Sequence, residues 1–298
     1  MRFALYGRTI DSRNREGVQK IINTLSNQRS ELVFHNSYRV LCDNSGLSLP
    51  SHLQTFNHLK ELAPLPDFFF SLGGDGTLLS ALPLIYPTQV PVVAINVGRL
   101  GYLSTAEVSG LEKVLHALKE GLFVAEERSL VQALVGGKPL DDFGLGLNEF
   151  TVVKTDTSSM IHVETYIDDF FFSNIWADGL VVATPTGSTA YALSCGGPVI
   201  TPSSPVLVMA AIAPHNLNVR PIVLADNTRL RFVVQSRSTR IISSLDSRFV
   251  YLPVGSEIEV LLSAWRLRLV RLSPHDHLET LRTKLLWGND MRNALKFN

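Results

Sequence analysis

The sequence predicts an α/β domain built on a mostly parallel, doubly wound sheet, followed by a predominantly β domain. Three observations predict it. Through residue 121, apolar runs short enough for buried strands alternate with segments whose apolar residues recur at helical spacing. From residue 122 the runs become β-rich and are separated by turn signals: Gly136-Gly137, Asp168-Asp169, Asp226-Asn227 and Pro253-Val254-Gly255. After Pro274 the spacing turns helical again, at Leu278, Leu281 and Leu285. The expected divisions are 1–121, 122–273 and a closing segment, 274–298, that packs back on the first domain.

Each element has a local reason. Arg2-Phe3-Ala4-Leu5-Tyr6 reads as a first strand ended by Gly7. Val18, Ile21, Ile22 and Leu25 fall on one face of a helix. Glu31-Leu32-Val33-Phe34 reads as a second strand, and Leu53, Phe56, Leu59 and Leu62 predict a helix broken by Pro64 and Pro66. Phe68-Phe69-Phe70-Ser71-Leu72 is the central strand, Leu78–Ile85 a helix, and Val90–Asn96 the next strand. Val108, Leu111, Val114, Leu115 and Leu118 make an amphipathic helix that stops at Gly121. In the β-rich part, Arg229–Val234 and Arg266–Val270 alternate polar and apolar residues as half-buried strands do. Ser188–Ser194, flanked by glycines, is expected to be a short helix within it.

Composition narrows the function classes. Of 298 residues, 45% are hydrophobic and 18% charged, so a sizeable core is expected and disorder is not. Lys+Arg and Asp+Glu both number 27, and this balance argues against a nucleic-acid binder held by a bulk field. No apolar run approaches the roughly 20 residues that span a bilayer. Met1–Gly7 reads as a strand rather than a secretory leader, so a cytoplasmic protein with no membrane partner is expected. The two cysteines, Cys42 and Cys195, are too few for a disulfide framework or a zinc site.

The stretch that carries most chemistry follows the central strand. Gly73-Gly74-Asp75-Gly76-Thr77 places three glycines around one carboxylate, just before a helix. Glycines let a backbone approach phosphate oxygens, and free N–H groups at a helix start attract anions. An acid there repels a phosphate, so Asp75 reads as a base or a metal-side group beside it; the alternative is a plain capped turn. Asn96–Leu103 is a second glycine-punctuated loop after a strand; it reads either as closing over a ligand next to Asp75 or as a plain connection. Asn148-Glu149 pairs an amide with a carboxylate, a combination that holds ribose hydroxyls, or else marks a solvated strand entry. Asp178–Ala183 runs into Thr184-Pro185-Thr186-Gly187-Ser188-Thr189-Ala190-Tyr191, dense in hydroxyls and amides suited to a nucleotide, with Tyr191 available for stacking. Gly196-Gly197-Pro198 then turns the chain. His215 and Arg220 read as structural, and Leu245-Asp246-Ser247-Arg248 as a polar turn. No Gly-x-x-x-x-Gly-Lys-Ser/Thr loop occurs, which excludes the ordinary P-loop.

In this order, and with Pro214-His215-Asn216-Leu217, Arg220-Pro221 and Leu281–Gly288, these motifs resemble the NAD kinase family over residues 67–288. The resemblance implies a Rossmann-like N-terminal domain and a β-sandwich C-terminal domain. It also implies phosphorylation of the adenosine 2′-hydroxyl of NAD by ATP, giving NADP, in a homo-oligomer, a tetramer or dimer. Carried onto this chain, Asp75 is the base, with Gly73, Gly74, Gly76 and Thr77 around it. Asn148 and Glu149 hold the ribose region, and Thr186, Gly187, Ser188, Thr189, Ala190 and Tyr191 cradle the adenine. Asp178 reaches the dinucleotide from a neighbouring subunit, and Trp176, Ala213 and Arg248 complete the binding set. Trp176 stands where many members carry a basic or small residue, and Arg248 where others have Gln or Asn. Mg²⁺ is expected to travel with ATP, with no protein metal site. Two other readings fit parts of the pattern: a lipid or sugar kinase that shares the glycine turn, and a dinucleotide sensor without catalysis.

Overall fold

The computed structural model describes residues 1–28, 30–98, 101–156, 159–272 and 276–285. It divides into two units, Met1–Glu126 with the residues from Arg268 onward, and Glu127–Leu267.

The first unit is built on an eight-stranded sheet. Its strands run in the order Gln54–Phe56, Glu31–His35, Arg2–Gly7, Phe68–Leu72, Val92–Asn96, Leu267–Arg271 and Val124–Arg128, with Ala106–Glu107 beside Val92–Asn96. The first strand in sequence thus lies in the middle, parallel to Glu31–His35 on one side and Phe68–Leu72 on the other. The winding reverses between Arg2–Gly7 and Phe68–Leu72. In a doubly wound sheet, ligands settle beyond the strand C-termini at such a reversal. Gly7 is in register with Leu72, so the glycine turn leaves the sheet there.

Helix Arg15–Asn27 buries Val18, Ile21, Ile22 and Leu25, and helix Leu111–Glu120 buries Leu111, Val114, Leu115, Ala117 and Leu118 before stopping at Gly121 with φ 68°. Each fully buried Val, Leu or Ile on these faces contributes about 1.5–3 kcal/mol, far more than helix propensity does.

The second unit is a sandwich of two antiparallel sheets of seven and six strands. Between them lies one core, with Val131, Ile161, Val163, Phe232 and Val260 from one sheet and Phe150, Val152, Leu180, Val182 and Met209 from the other. Phe150 and Phe232 stack across it at 6.3 Å. Strand Gly179–Ala183 is buried along its whole length, because its outer face packs Val181 and Ala183 against Ala192 of the short helix Tyr191–Ser194.

Two expectations are corrected, and one helix was not foreseen. The helix expected through Leu53–Leu62 is a strand, Gln54–Phe56, and a single 3₁₀ turn, Leu59–Glu61. Parallel pairing of Val33, Phe34 and His35 with Gln54, Thr55 and Phe56 overrides the local spacing. Helix Asn36–Asn44 was not expected, because only Tyr38 and Cys42 mark its buried face. The alternating run Arg266–Val270 is not a strand of the sandwich. Leu267–Arg271 pairs parallel to Val92–Asn96 in the first sheet, where Arg271 is buried and ion-paired to Glu126 at 3.2 Å. Of the closing segment, helix Asp276–Lys284 is described; Trp287 and Gly288 lie outside the described residues.

Candidate active site

Two groups of predicted residues are built by different means, one in each unit. In the first, the five buried residues Phe68–Leu72 carry the chain to the sheet edge, and the Gly73 N–H donates to the Ile95 carbonyl at 3.0 Å. Gly74 precedes helix Asp75–Ile85, and the Thr77 N–H closes its first turn on the Gly74 carbonyl at 2.9 Å. A Cβ on Gly73 would sit 2.1 Å from the Thr77 hydroxyl, so the turn closes this tightly only with glycine there. Gly74 and Gly76 are exposed, leaving the backbone open to solvent.

Asp75 opens the helix, and its carboxylate accepts the backbone N–H groups of Tyr102 at 2.8 Å and Leu103 at 3.1 Å. The expected loop thus does meet Asp75, though through its own amides; Arg99 and Leu100 lie outside the described residues. Gly101 makes this approach possible, since a Cβ there would fall 2.0 Å from the Asp75 Oδ1. Burial, and then the Asp75 charge, push the Tyr102 phenol up. The Arg8 guanidinium lies 3.5 Å from the Gly76 carbonyl and brings a cation beside the turn.

In the second unit, Asn148 and Glu149 enter strand Glu149–Lys154. Glu149 is 9% exposed and its Oε2 is buried with no hydrogen-bond partner among the described residues. Burial, and then the charge of Asp246, push its carboxyl up to about 7, opposed by the Tyr191 backbone N–H. Asp246 was read as part of a polar turn. Instead, its carboxylate accepts the N–H groups of Leu147 at 2.8 Å, Asn148 at 2.7 Å and Glu149 at 3.2 Å. Burial pushes Asp246 itself up, against the pull of those N–H groups and of the Arg248 guanidinium.

The hydroxyl-rich loop folds on itself. Thr184 gives its hydroxyl to the Leu147 carbonyl at 2.6 Å, and Ser188 gives its own to Pro185 at 2.7 Å while accepting the Ile200 N–H at 3.0 Å. Thr189 donates to the Thr186 carbonyl at 3.2 Å, and the Thr186 hydroxyl accepts from buried Arg128 at 3.2 Å. Ser188 is fully buried, and its hydroxyl is engaged on both sides. Gly187 backs onto Asn148 so closely that a Cβ would meet its carbonyl oxygen at 2.0 Å. Ala190 and Tyr191 begin the short helix, with the Tyr191 ring 40% exposed. Burial, then Cys195, Asp178 and Glu149, push the Tyr191 phenol up, so both acids act on it electrostatically.

The remaining predicted residues have other partners. Asp178 pairs with Lys154 at 2.6 Å, Trp176 stacks on His162 at 4.8 Å, and Ala213 takes φ 46°. Arg248 pairs with Asp141 at 2.9 Å and donates to the Leu145 carbonyl. Asp246 and Arg128 are the residues sequence reasoning missed. The only signal for Asp246 was an Asp in a short polar turn between two β patterns.

Residues 16–123 match the family model of the ATP-NAD kinase N-terminal domain, and residues 147–272 that of the ATP-NAD kinase C-terminal domain. NAD kinases of Cytophaga hutchinsonii and Christiangramia forsetii are 39% and 37% identical to this chain, over 98% of it and 100% of each relative. Among solved structures, yeast NADH kinase complexed with NADH superposes with a TM-score of 0.85 at 24% identity, over 98% of this chain and 89% of that one. That likeness is one of fold. An NAD kinase from Archaeoglobus fulgidus in complex with ATP gives a TM-score of 0.74 at 26% identity, over 96% and 99%.

Proposed function

The chain belongs to the ATP-NAD kinase family and is an ATP-dependent NAD kinase, and we propose that Asp75 is the base of its reaction. In that reaction the adenosine 2′-hydroxyl of NAD attacks the γ-phosphorus of ATP. The O–H bond breaks and its proton passes to the Asp75 carboxylate. The new O–P bond forms as the bond from γ-phosphorus to the bridging oxygen breaks, releasing ADP and NADP. One observation carries the assignment: Asp75 is the carboxylate among the glycines that open a helix, at the sheet edge where the winding reverses. The first-turn N–H groups and the nearby Arg8 offset charge on the transferring phosphoryl group.

For the dinucleotide, the reading assigns Asn148 and Glu149 to ribose hydroxyls. The unpartnered Glu149 Oε2 supports it, since a buried acceptor without a partner costs about 1–3 kcal/mol that a ligand hydroxyl relieves. Thr186, Gly187, Thr189, Ala190 and Tyr191 line the adenine through backbone and ring. Ser188 shapes that loop from beneath. Trp176, Asp178, Ala213 and Arg248 belong to the more distant parts of the dinucleotide site. Mg²⁺ enters as part of the ATP substrate and neutralises its phosphates; among the described residues no cluster of three His, Cys, Asp or Glu is placed to hold it.

The same reading makes the enzyme a cytoplasmic homo-oligomer, a tetramer or dimer. Strand Phe170–Ala177 is a sheet edge on which Phe170, Phe171, Phe172 and Trp176 are exposed, a surface suited to a second copy. No helix among the described residues is long and apolar enough to cross a membrane.

Asp75→Asn tests the base. NADP formation from NAD and ATP falls about 10²–10⁴-fold, the range that general base catalysis contributes, while NAD binding by calorimetry survives. Turnover that stays at the wild-type rate removes Asp75 from its role. Parallel assays with NADH, a lipid alcohol and a sugar as acceptors separate this enzyme from the other kinases that share the turn.

A further inference from the structure

Leu147, Asn148 and Glu149 have six backbone polar groups, and all six are engaged. Asp246 accepts the three N–H groups through its two carboxylate oxygens and returns its own N–H to the Glu149 carbonyl at 2.9 Å. Thr184 takes the other two carbonyls, its hydroxyl on Leu147 at 2.6 Å and its N–H on Asn148 at 2.9 Å. Three consecutive amides converge on one carboxylate, and their hydrogen bonds offset the cost of burying its charge. Asp246 adopts φ 52° to reach them, in the turn between strands Arg240–Leu245 and Arg248–Pro253. It also brings the Asp246 charge to bear on Glu149, raising its carboxyl.

We propose that Asp246 is a positioning residue for the dinucleotide: it fixes the Leu147–Glu149 backbone so that Asn148 and Glu149 are held for the ribose. The inference rests on the reading that Asn148 and Glu149 bind NAD. The groups acting on Glu149 are Asp246 from the hairpin and the Tyr191 backbone N–H from the short helix; Glu149 in turn acts on Tyr191 and Cys195, and Arg248 acts on Asp246. Removing the Asp246 charge therefore also moves the pH at which Glu149 ionises, a shift that enters the KM for NAD only where Glu149 holds the dinucleotide.

Asp246→Asn is the test. Asn tolerates a positive φ, and its carbonyl oxygen can keep the Asn148 and Glu149 N–H groups. Its NH₂ then faces the Leu147 N–H, donor against donor. The expected result is a KM for NAD raised about tenfold or more, from lost charge-assisted hydrogen bonds. The KM for ATP stays at the wild-type value, and kcat at saturating NAD stays within about threefold. The midpoint in the pH dependence of the NAD KM moves to lower pH, and in a Glu149→Gln background Asp246→Asn moves no midpoint. Should Asp246→Asn fail to fold, Gly146→Ala presses on the same carboxylate, with a Cβ 3.2 Å from its Oδ1 and 3.1 Å from the Glu149 carbonyl oxygen. It too is expected to raise the NAD KM alone. A folded variant with a wild-type NAD KM and an unmoved midpoint overturns the proposal. A wild-type protein that forms no NADP overturns the kinase reading instead, and this inference with it.

Discussion

Glu149→Gln should make the protein more stable while making it a poorer enzyme, and the gain should depend on pH. The Glu149 carboxyl is pushed from its ordinary value of 4.5 up to about 7 by burial and by Asp246. Below pH 4.5 it is protonated in both the folded and unfolded chain and contributes nothing. Between 4.5 and 7 the unfolded chain ionises while the folded one keeps its proton, so stability is lost steadily as pH rises. Above 7 the loss levels off at about 3 kcal/mol, taken from 1.36 kcal/mol for each tenfold change in proton affinity. Gln mimics the protonated acid at every pH. The stability of the variant relative to wild type should therefore grow by about 3 kcal/mol between pH 4.5 and 8, an upper value where a neighbouring carboxylate titrates too. For a protein of this size that is roughly 6–12 °C in melting temperature, at roughly 2–4 °C per kcal/mol. The assay is thermal or urea unfolding of both proteins from pH 5 to 9 without nucleotide. Two stability curves that stay parallel across this range would show that Glu149 carries no such burden.

Three further outcomes follow from the geometry. Gly101→Ala drives a Cβ to 2.0 Å from the Asp75 Oδ1, so the loop or the carboxylate must move; kcat should fall by about 10²-fold, as misplacing a catalytic group by an ångström does, with little change in the far-ultraviolet circular dichroism spectrum. A chelator should abolish NADP formation but leave the melting temperature unchanged, because the cation belongs to ATP; a large drop in melting temperature would point to a metal bound by the protein itself. Sedimentation should show an assembly, and Phe170→Asp with Phe172→Asp on the exposed sheet edge should dissociate it.

What the sequence made legible and what it hid divide on a physical line. Helices Arg15–Asn27 and Leu111–Glu120 were readable because a helix face is written within seven or eight consecutive residues. The Gly73–Thr77 turn was readable for a different reason: at Gly73 a side chain would collide with the neighbouring threonine, so the local geometry admits one residue type. Gln54–Phe56 was misread because its conformation is decided by a partner strand that begins at Glu31, which no local spacing reports. The loop hydroxyls are hidden from local reading in another way. A serine donates as well to its own backbone as to a ligand, and at Ser188 the backbone takes it. Asp246 is the extreme case. It is one of 27 acidic residues, and the amides that give it meaning lie 97 to 99 positions away. A functional carboxylate announces itself in sequence only when its own neighbours are constrained, as at Asp75. When it acts by holding a distant segment, only the folded chain reveals it. The Asn148-Glu149 pair was therefore easier to single out than the aspartate whose carboxylate accepts its amides.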